Sequence, residues 1–368
     1  MTRPDELASR LNRLQAQMAD TGVDLVAIAP TPNMRYLLGF APLADERVCL
    51  LLVTPQATRL VAPELTADQI EAHTGMEAIR WSDDAGPGQA LAEAAGALGA
   101  GPGTVLAADA AMRADALLLL QEAIRPQRSV SGAGIMSALR MLKSETEIEA
   151  LARAAAQADR ALLAGADACQ PGVTEREVAE RIASYFRQDG AEAVNVTLVA
   201  SGPNSAFPHH EASDRRLQAG DTIVIDIVAT LDGYKSDVTR VVHLGEPSPE
   251  VRAVYEVVLE ANRRGREAAV AGAWARDVDR AARAAIEEAG YGPYFFHRTG
   301  HGLGIEMHEA PWISATSTTV LEPGMVFSVE PGIYLEGQFG VRVEDIVVVT
   351  EGECRCLTGL DRALKVKP

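Results

Sequence analysis

Two pairs of acidic residues in the C-terminal half of the chain have the spacing of facing positions in β-hairpins. Asp226 and Asp237 have their midpoint beside an Asp-Gly turn, and Glu330 and Glu344 have theirs at Gly337. If each segment folds back at its midpoint, each pair becomes directly opposed across two strands. Two carboxylates at that distance repel each other unless a cation lies between them or one of them binds a proton. The spacing therefore predicts a cation site.

A histidine flanked by glycines, His301, lies between the two pairs in the segment TGHGLGIEMHEAP, which also contains His308. Four carboxylates and an imidazole, with no thiolate, suit hard divalent ions and are enough to hold two of them. The glycines could instead belong to a phosphate-binding loop, but a helix should then follow, and the proline-containing GIEMHEAPWIS does not have a helical pattern. The residue types thus predict a metal-dependent hydrolase.

A purely structural role is the alternative for these carboxylates, since aspartate near a hairpin turn is usually part of the turn itself. Asp226, however, interrupts the apolar run IVIDIV, and Glu330 and Glu344 interrupt strand-like segments. An unpaired carboxylate is costly to bury in such surroundings. Only Arg342 lies nearby as a cationic partner, so a buried ion pair explains one of the four carboxylates and not all of them.

The composition is that of a soluble two-domain enzyme. The 368 residues suffice for two domains, and a net charge of −17 argues against a nucleic-acid partner, which requires a basic face. No segment approaches the roughly 20 apolar residues that span a bilayer, and the N-terminus lacks the apolar core of a signal peptide. The four cysteines form neither a disulfide framework nor a zinc motif. We therefore expect a cytoplasmic protein with reduced thiols and no membrane partner.

The order of elements predicts two domains of different class. Residues 1–135 alternate strand and helix patterns, which indicates an α/β domain, and the Gly/Ser-rich residues 129–136 mark its end. In residues 136–368, capping-box patterns predict two helices, followed by strands and the Asp226/Asp237 hairpin. The same order of two helices, strands and a hairpin returns after Pro247. This predicts an α+β domain of two pseudo-twofold αα-ββ halves around a shared sheet, each half giving one carboxylate hairpin.

Short motifs along nearly the whole chain strengthen this interpretation. NMRYLLGF at residues 33–40 and LRMLKSETEI at 139–148 are followed by SGPN at 201–204, PHH at 208–210, GHGLG at 300–304, HEAP at 308–311, EPG at 330–332 and RVED at 342–345. In order and spacing these motifs resemble the pita-bread metallopeptidases of the aminopeptidase P and prolidase type. The resemblance implies a creatinase-like N-terminal α/β domain followed by a pita-bread catalytic domain.

The same resemblance implies a ligand set for two divalent ions. Asp237 and Glu344 resemble carboxylates that bridge both ions, Asp226 resembles a ligand of one ion, and His301 and Glu330 resemble ligands of the other. Manganese is the expected metal, with cobalt and zinc as alternatives. Oxygen and nitrogen ligands without thiolate favour manganese or cobalt.

The resemblance also implies catalytic and substrate-binding residues. Glu330 resembles the general base for the attacking water, while His209 and His308 resemble residues that contact the substrate and stabilise the tetrahedral intermediate. His297 resembles a further histidine of the substrate pocket, and Arg342 is also expected to contact substrate. The implied substrates are small peptides with proline in second position, and the implied assembly is a homodimer.

One position departs from part of the family. Archaeal-type prolidases have an arginine after the His-Glu-x-Pro motif, where it is thought to hold the free carboxylate of a dipeptide, and this chain has Trp312. An indole cannot form the bidentate pair that a guanidinium forms with a carboxylate. We therefore expect Trp312 to contact the substrate through apolar packing, and tripeptides to be cleaved at least as well as dipeptides.

Three related classes are alternatives. Methionine aminopeptidases share the ligand set but lack the large N-terminal domain. Creatinase-like enzymes hydrolyse a C–N bond without metal, and non-catalytic binding modules occur on the same fold, but both have lost the carboxylate ligands. All five ligands are present here. The sequence thus favours an Xaa-Pro metallopeptidase, either an aminopeptidase or a dipeptidase.

Overall fold

The computed structural model describes residues 4–368 and divides the chain into two compact units, Met1–Arg140 and Met141–Pro368. The predicted domain boundary, between residues 135 and 136, falls within the helix Ala133–Met141, a few residues before this division. No helix among the described residues is both long enough and apolar enough to cross a membrane.

The first unit has the predicted α/β organisation. Its elements are α1 (Pro4–Thr21), β1 (Leu25–Ile28), α2 (Pro32–Leu38), β2 (Leu50–Val53), β3 (Thr58–Pro63), α3 (Glu64–Thr74), β4 (Ala78–Trp81), α4 (Gly88–Ala97), β5 (Val105–Ala108), α5 (Ala114–Ile124), β6 (Arg128–Ser131) and α6 (Ala133–Met141). The strands form one mixed sheet in the order β4-β3-β2-β1-β5-β6. The central strands β1 and β2 are buried at every residue, as expected for continuous apolar runs covered on both faces.

The second unit repeats two helices followed by strands, as the sequence predicts. Its elements are α7 (Glu145–Ala168), α8 (Glu175–Gln188), β7 (Ala193–Ser201), β8 (Thr222–Leu231), β9 (Tyr234–Lys235), β10 (Val238–Leu244), α9 (Pro249–Ala268), α10 (Ala275–Glu288), β11 (Gly300–Gly302), β12 (Glu309–Ile313), β13 (Val326–Val329), β14 (Gly332–Leu335), β15 (Phe339–Arg342), β16 (Asp345–Val348), β17 (Arg355–Cys356) and β18 (Lys365–Lys367). Helices α7 and α8 begin at the predicted capping boxes of Ser144 with Glu147 and of Thr174 with Glu177.

The strands of the two halves do not form the single shared sheet that the repeat predicts. One sheet has the order β18-β10-β8-β7, with β9 also paired to β8, and a second has the order β12-β11-β13-β16-β17, while β14 and β15 form a ribbon. The C-terminal strand β18 occupies the outer edge of β10 along residues 242–244. Near the start of β10, the backbone N–H of Glu344 in the second half donates to the carbonyl of Thr239 at 3.2 Å.

Alternation along β8 determines which of its side chains can contribute to a site. Ile223, Ile225 and Ile227 pack into the core formed with α7 and α8, whereas Val224 packs into the core formed with α9 and α10. Successive residues of a strand point to opposite faces. Asp226 therefore lies on the face of Val224, which is turned towards the second half of the unit.

Candidate metal centre and active site

The first carboxylate hairpin turns at the two residues Asp232 and Gly233, which have φ values of 53° and 81°. This turn lies one residue later than the midpoint of the acidic pair, and its register places Asp226 opposite Thr239. The predicted direct opposition of Asp226 and Asp237 is therefore wrong by two residues. Because side chains alternate with a period of two, this offset leaves both carboxylates on the same face as diagonal neighbours.

The second hairpin has the predicted register. Its turn includes Gly337, whose φ of 74° suits glycine, and β14 pairs with β15 so that Gly332 lies opposite Arg342. The ladder of β13 and β16 continues the same register. Glu330 and Glu344 therefore face each other in the gap between the ribbon and the sheet, as their spacing predicts.

Close packing around β11 fixes the position of His301. A Cβ atom on Gly300 would lie 1.8 Å from the carbonyl oxygen of Ser328, and one on Gly302 would lie 2.2 Å from that of Ala310. Only glycine allows the neighbouring strands to approach this closely. The backbone N–H of His301 also donates to the Ser328 hydroxyl at 3.1 Å. The two glycines thus hold the imidazole between the two hairpins.

These elements bring predicted metal ligands together in one buried cluster. One ligand atom each from Asp237, His301 and Glu344 lies within 4.8 Å of the others, and all three residues are buried. Glu330 Oε1 is 3.2 Å from His301 Nε2. The donor set contains only carboxylate oxygens and an imidazole nitrogen, which are ligands for hard and borderline divalent ions.

The fifth predicted ligand, Asp226, lies beside a buried arginine. Its Oδ2 accepts a hydrogen bond of 2.6 Å from Arg342, which also donates to the hydroxyl of Tyr334 at 2.9 Å. The other carboxylate oxygen, Oδ1, is buried and has no hydrogen-bond partner among residues 4–368. A buried oxygen without a donor is costly, so this atom is available for a cation.

The electrostatics of the cluster also fit a cation. Burial raises the pKa of Asp237 well above its usual range, with a further contribution from the charge of Glu344. Burial likewise raises the pKa of Glu344, with the charge of Glu330 as the next cause. Burial acts in the same direction on Glu330, but the hydrogen bond from His301 and the charges of His301, His297 and Arg342 together outweigh it and bring the pKa to about 2. A divalent ion would stabilise all of these groups in their charged form.

The carboxylates lie in the wall of a cavity of about 1310 Å³ that also exposes three predicted substrate histidines, His209, His297 and His308. The ring of His308 meets that of His301 edge-on at a centroid distance of 4.2 Å. Burial, followed by the neighbouring charge of His301, lowers the pKa of His308 to about 4. His297 Nε2 is 3.0 Å from the hydroxyl of Tyr334. The structure thus brings the predicted metal ligands and the three histidines to one cavity.

Two buried acids that the sequence interpretation missed hold the cavity wall. Glu175, in the first turn of α8, accepts hydrogen bonds from Ser201, Asn204, His210 and Ser213, and so fixes the segment that carries His209. Asp279 of α10 accepts hydrogen bonds from Thr299 and Arg283, and Arg283 also donates to the carbonyl of His297. Neither acid had a recognisable signal, because both resemble ordinary helix residues in the sequence.

Trp312 does not occupy the position expected from the sequence. It lies opposite His301 in the ladder of β11 and β12, its side chain is partly exposed, and it is not part of the cavity wall. The guanidinium of Arg298 lies 4.5 Å above the centre of its ring, and Arg298 itself lines the cavity. The structure therefore does not support the expected direct contact between the indole and the substrate.

A buried cluster of carboxylates and imidazole in a large cavity, held between two αα-ββ halves, is typical of a metal-dependent hydrolase. Comparison with known proteins identifies the family. The sequence profile of metallopeptidase family M24 matches residues 149–351, and that of the creatinase/prolidase N-terminal domain matches residues 10–142. The chain belongs to metallopeptidase family M24, of the pita-bread Xaa-Pro peptidase type that its motifs resemble.

Individual relatives are similar over nearly the full length. The chain is 39% identical over 367 residues to a probable dipeptidase PepE of Mycobacterium tuberculosis, covering 98% of this chain and 96% of the relative. It is 34% identical over 359 residues to an Xaa-Pro dipeptidase of Pyrococcus furiosus, with 97% and 100% covered. The crystal structure of the dipeptidase PepE from Mycobacterium ulcerans superposes with a TM-score of 0.94 at 37% identity, covering 99% of both chains. The chain is therefore a metallopeptidase.

Proposed function

We propose that this metallopeptidase hydrolyses Xaa-Pro dipeptides with the help of two divalent metal ions. The observation that carries the proposal is the buried cluster of Asp237, His301 and Glu344 in the cavity wall, with Glu330 beside it. The unpartnered Oδ1 of Asp226 supplies the fifth donor. The named relatives, a probable dipeptidase and an Xaa-Pro dipeptidase, support the dipeptide as substrate.

The chemistry divides between the ions and the side chains. Bound ions would polarise the scissile carbonyl and lower the pKa of a water molecule. We assign Glu330, at the edge of the cluster, as the base that accepts the proton of the attacking water and returns it to the departing proline nitrogen. We assign His308, packed against His301, and His209, which also lines the cavity, as donors of hydrogen bonds to the oxyanion that develops from the carbonyl.

Proline at the second position offers a physical basis for selection. Its nitrogen carries no hydrogen in a peptide bond, and its ring fixes φ. A pocket that recognises it must therefore pack on the ring. Phe296 and Tyr334 line the cavity with ring centroids 5.6 Å apart, and His297 lies beside both. These rings are the apolar surface that we assign to the proline.

A substrate panel tests the proposal. Ala-Pro, Leu-Pro, Ala-Ala and creatine, assayed with manganese-loaded enzyme, should give turnover of the Xaa-Pro peptides and little or none of the other two. Hydrolysis of creatine without metal would identify a creatinase-like enzyme. Turnover of Ala-Ala at the rate of Ala-Pro would show that the proline ring is not recognised.

Xaa-Pro aminopeptidase activity on longer peptides is a second candidate, because the cavity of about 1310 Å³ is larger than a dipeptide requires. The matched pair Ala-Pro and Ala-Pro-Ala distinguishes the two activities. A kcat/KM at least as high for the tripeptide would establish the aminopeptidase, as the sequence interpretation of Trp312 expects. Manganese as the native metal, a homodimeric assembly and a cytoplasmic location stay predictions from the sequence.

A further inference from the structure

In the part of the chain that the structure describes, three guanidinium groups line the cavity, and two of them are already paired. Arg342 is buried and bonded to Asp226 and Tyr334. Arg176 forms an ion pair of 2.8 Å with Asp214. Among residues 4–368, the side chain of Arg298 has no carboxylate within ion-pair distance and no hydrogen-bond partner. The structure thus leaves one cationic side chain in the cavity wall without a counterion.

The indole of Trp312 holds this guanidinium in place. The carbon of the Arg298 guanidinium lies 4.5 Å from the ring centre, within the range of a cation–π contact. Stacking uses the face of the guanidinium and leaves the N–H groups at its edge free to donate. Trp312 in turn is fixed in β12 opposite His301.

The backbone around Arg298 is also held firmly. The carbonyl of Arg298 lies 2.8 Å from Nδ1 of His297, and the N–H of the next residue, Thr299, donates to the buried Asp279 at 3.1 Å. The charge of Arg298 also acts on nearby groups of the site: after burial and the charge of His301, it is the next cause of the lowered pKa of His308. Arg298 is therefore close to the reacting groups.

We propose that Arg298, stacked on Trp312, binds the free C-terminal carboxylate of the dipeptide and makes the enzyme prefer dipeptides to longer peptides. This inference rests on the proposed Xaa-Pro hydrolysis. A guanidinium forms a bidentate, charge-assisted pair with a carboxylate, and such a pair is stronger in a cavity shielded from water. A C-terminal amide or a further residue would leave this half-buried cation without its counterion. The tryptophan acts as a positioning residue for the arginine and does not contact the substrate.

The test compares a dipeptide with its own amide. In the wild-type enzyme, kcat/KM for Ala-Pro should exceed that for Ala-Pro-amide by about tenfold or more, since a hydrogen-bonded ion pair is lost in the amide. Arg298→Gln should lower kcat/KM for Ala-Pro by about 10- to 100-fold and leave the amide nearly unchanged. Arg298→Lys should keep part of the preference. Trp312→Ala should weaken it by raising KM for Ala-Pro.

The chain offers a matched control. Arg276 is stacked on Trp274 at 4.4 Å, in the same manner as Arg298 on Trp312, but it does not line the cavity. Arg276→Gln should leave both substrates unaffected. A wild-type enzyme that cleaves both substrates equally well would overturn the proposal, as would an equal loss for both substrates in Arg298→Gln.

A binding measurement separates this proposal from the proposed reaction. Calorimetry with L-proline and L-prolinamide on the metal-loaded protein reports on carboxylate recognition even if no peptide is hydrolysed. Tighter binding of proline that disappears in Arg298→Gln would support the assignment in either case. Equal binding of the two ligands by the wild-type protein would refute it, while turnover of Ala-Pro would still uphold Xaa-Pro hydrolysis.

Discussion

At the scale of single residues, the candidate metal site is defined by carboxylates in buried positions, where a charged group without a partner is costly in free energy. Asp237 and Glu344 are almost fully buried, and burial raises the pKa of both. The buried Arg342 is bonded to Asp226, so it cannot neutralise the whole cluster. The cluster therefore has an excess of buried negative charge, as the sequence indicated, and a bound cation would neutralise it.

Two adjacent histidines allow a test at this scale. His301 belongs to the ligand cluster, whereas His308 packs against it and faces the cavity. His301→Ala should therefore lose bound metal. His308→Ala should keep its metal while kcat falls by about two to four orders of magnitude, because a hydrogen bond to the developing oxyanion is lost. Elemental analysis of the purified variants, together with steady-state kinetics, checks both outcomes. Equal metal content in the two variants contradicts the assignment.

At the scale of elements, the sequence predicted those features that depend on residues close together in the chain, such as the starts of helices. The capping boxes at Ser144 and Thr174 start their helices where expected, because both hydrogen bonds of each box lie within four residues. The second carboxylate hairpin is also in its predicted register. The first is not, because the two-residue turn at Asp232 and Gly233, and not the midpoint of the acidic pair, sets the register.

Contacts between residues that are far apart in the chain could not be predicted from the sequence. The prediction of one sheet shared by the two halves was wrong. The C-terminal strand β18 pairs with the edge of β10, and no local sequence pattern indicates this pairing. The stacking of Arg298 on Trp312 joins residues whose backbones lie on different segments of the second unit. Glu175 looked like an ordinary residue next to the capping Glu177, yet its four side-chain partners come from residues 201–213. Such contacts depend on tertiary packing, which sequence spacing does not encode.

Glu175 gives a prediction for the pH dependence of stability. Burial raises its pKa, but the hydrogen bonds from Ser201, Ser213 and others outweigh this and bring it to about 2, below the ordinary value of 4.5. A depressed pKa in the folded state stabilises the fold above the ordinary pKa, and this stabilisation is lost as the pH falls towards 2. Glu175→Gln should therefore lower the free energy of unfolding by about 2 kcal/mol at pH 7.

The difference between Glu175→Gln and wild type should shrink steadily in urea unfolding at pH 5, 4 and 3. Glu180 lies on the same helix but is exposed, so Glu180→Gln is a matched control that should follow the wild type at every pH. A constant difference between Glu175→Gln and wild type over this range would show that the carboxylate charge is not what holds the segment carrying His209.

At the scale of the whole molecule, the candidate active site is built from residues of the second unit. The first unit is an α/β domain, and none of its described residues, 4–140, lines the cavity described above. In the second unit each half supplies one carboxylate hairpin, and the backbone hydrogen bond from Glu344 to Thr239 is one of the contacts that join the halves. A metal pair bound across this junction would tie both halves together, so metal binding should stabilise the second unit as well as activate it.

The central claim is that Xaa-Pro hydrolysis requires divalent metal held by the five-residue cluster. The most direct test is to measure Ala-Pro hydrolysis and bound metal on the same preparation, first after chelation and then during stepwise addition of manganese or cobalt. We expect no activity in the chelated protein and recovery that is complete near two ions per chain. Asp237→Asn should bind fewer ions and recover little. Full turnover in protein shown to contain no metal would contradict a metal-dependent reaction.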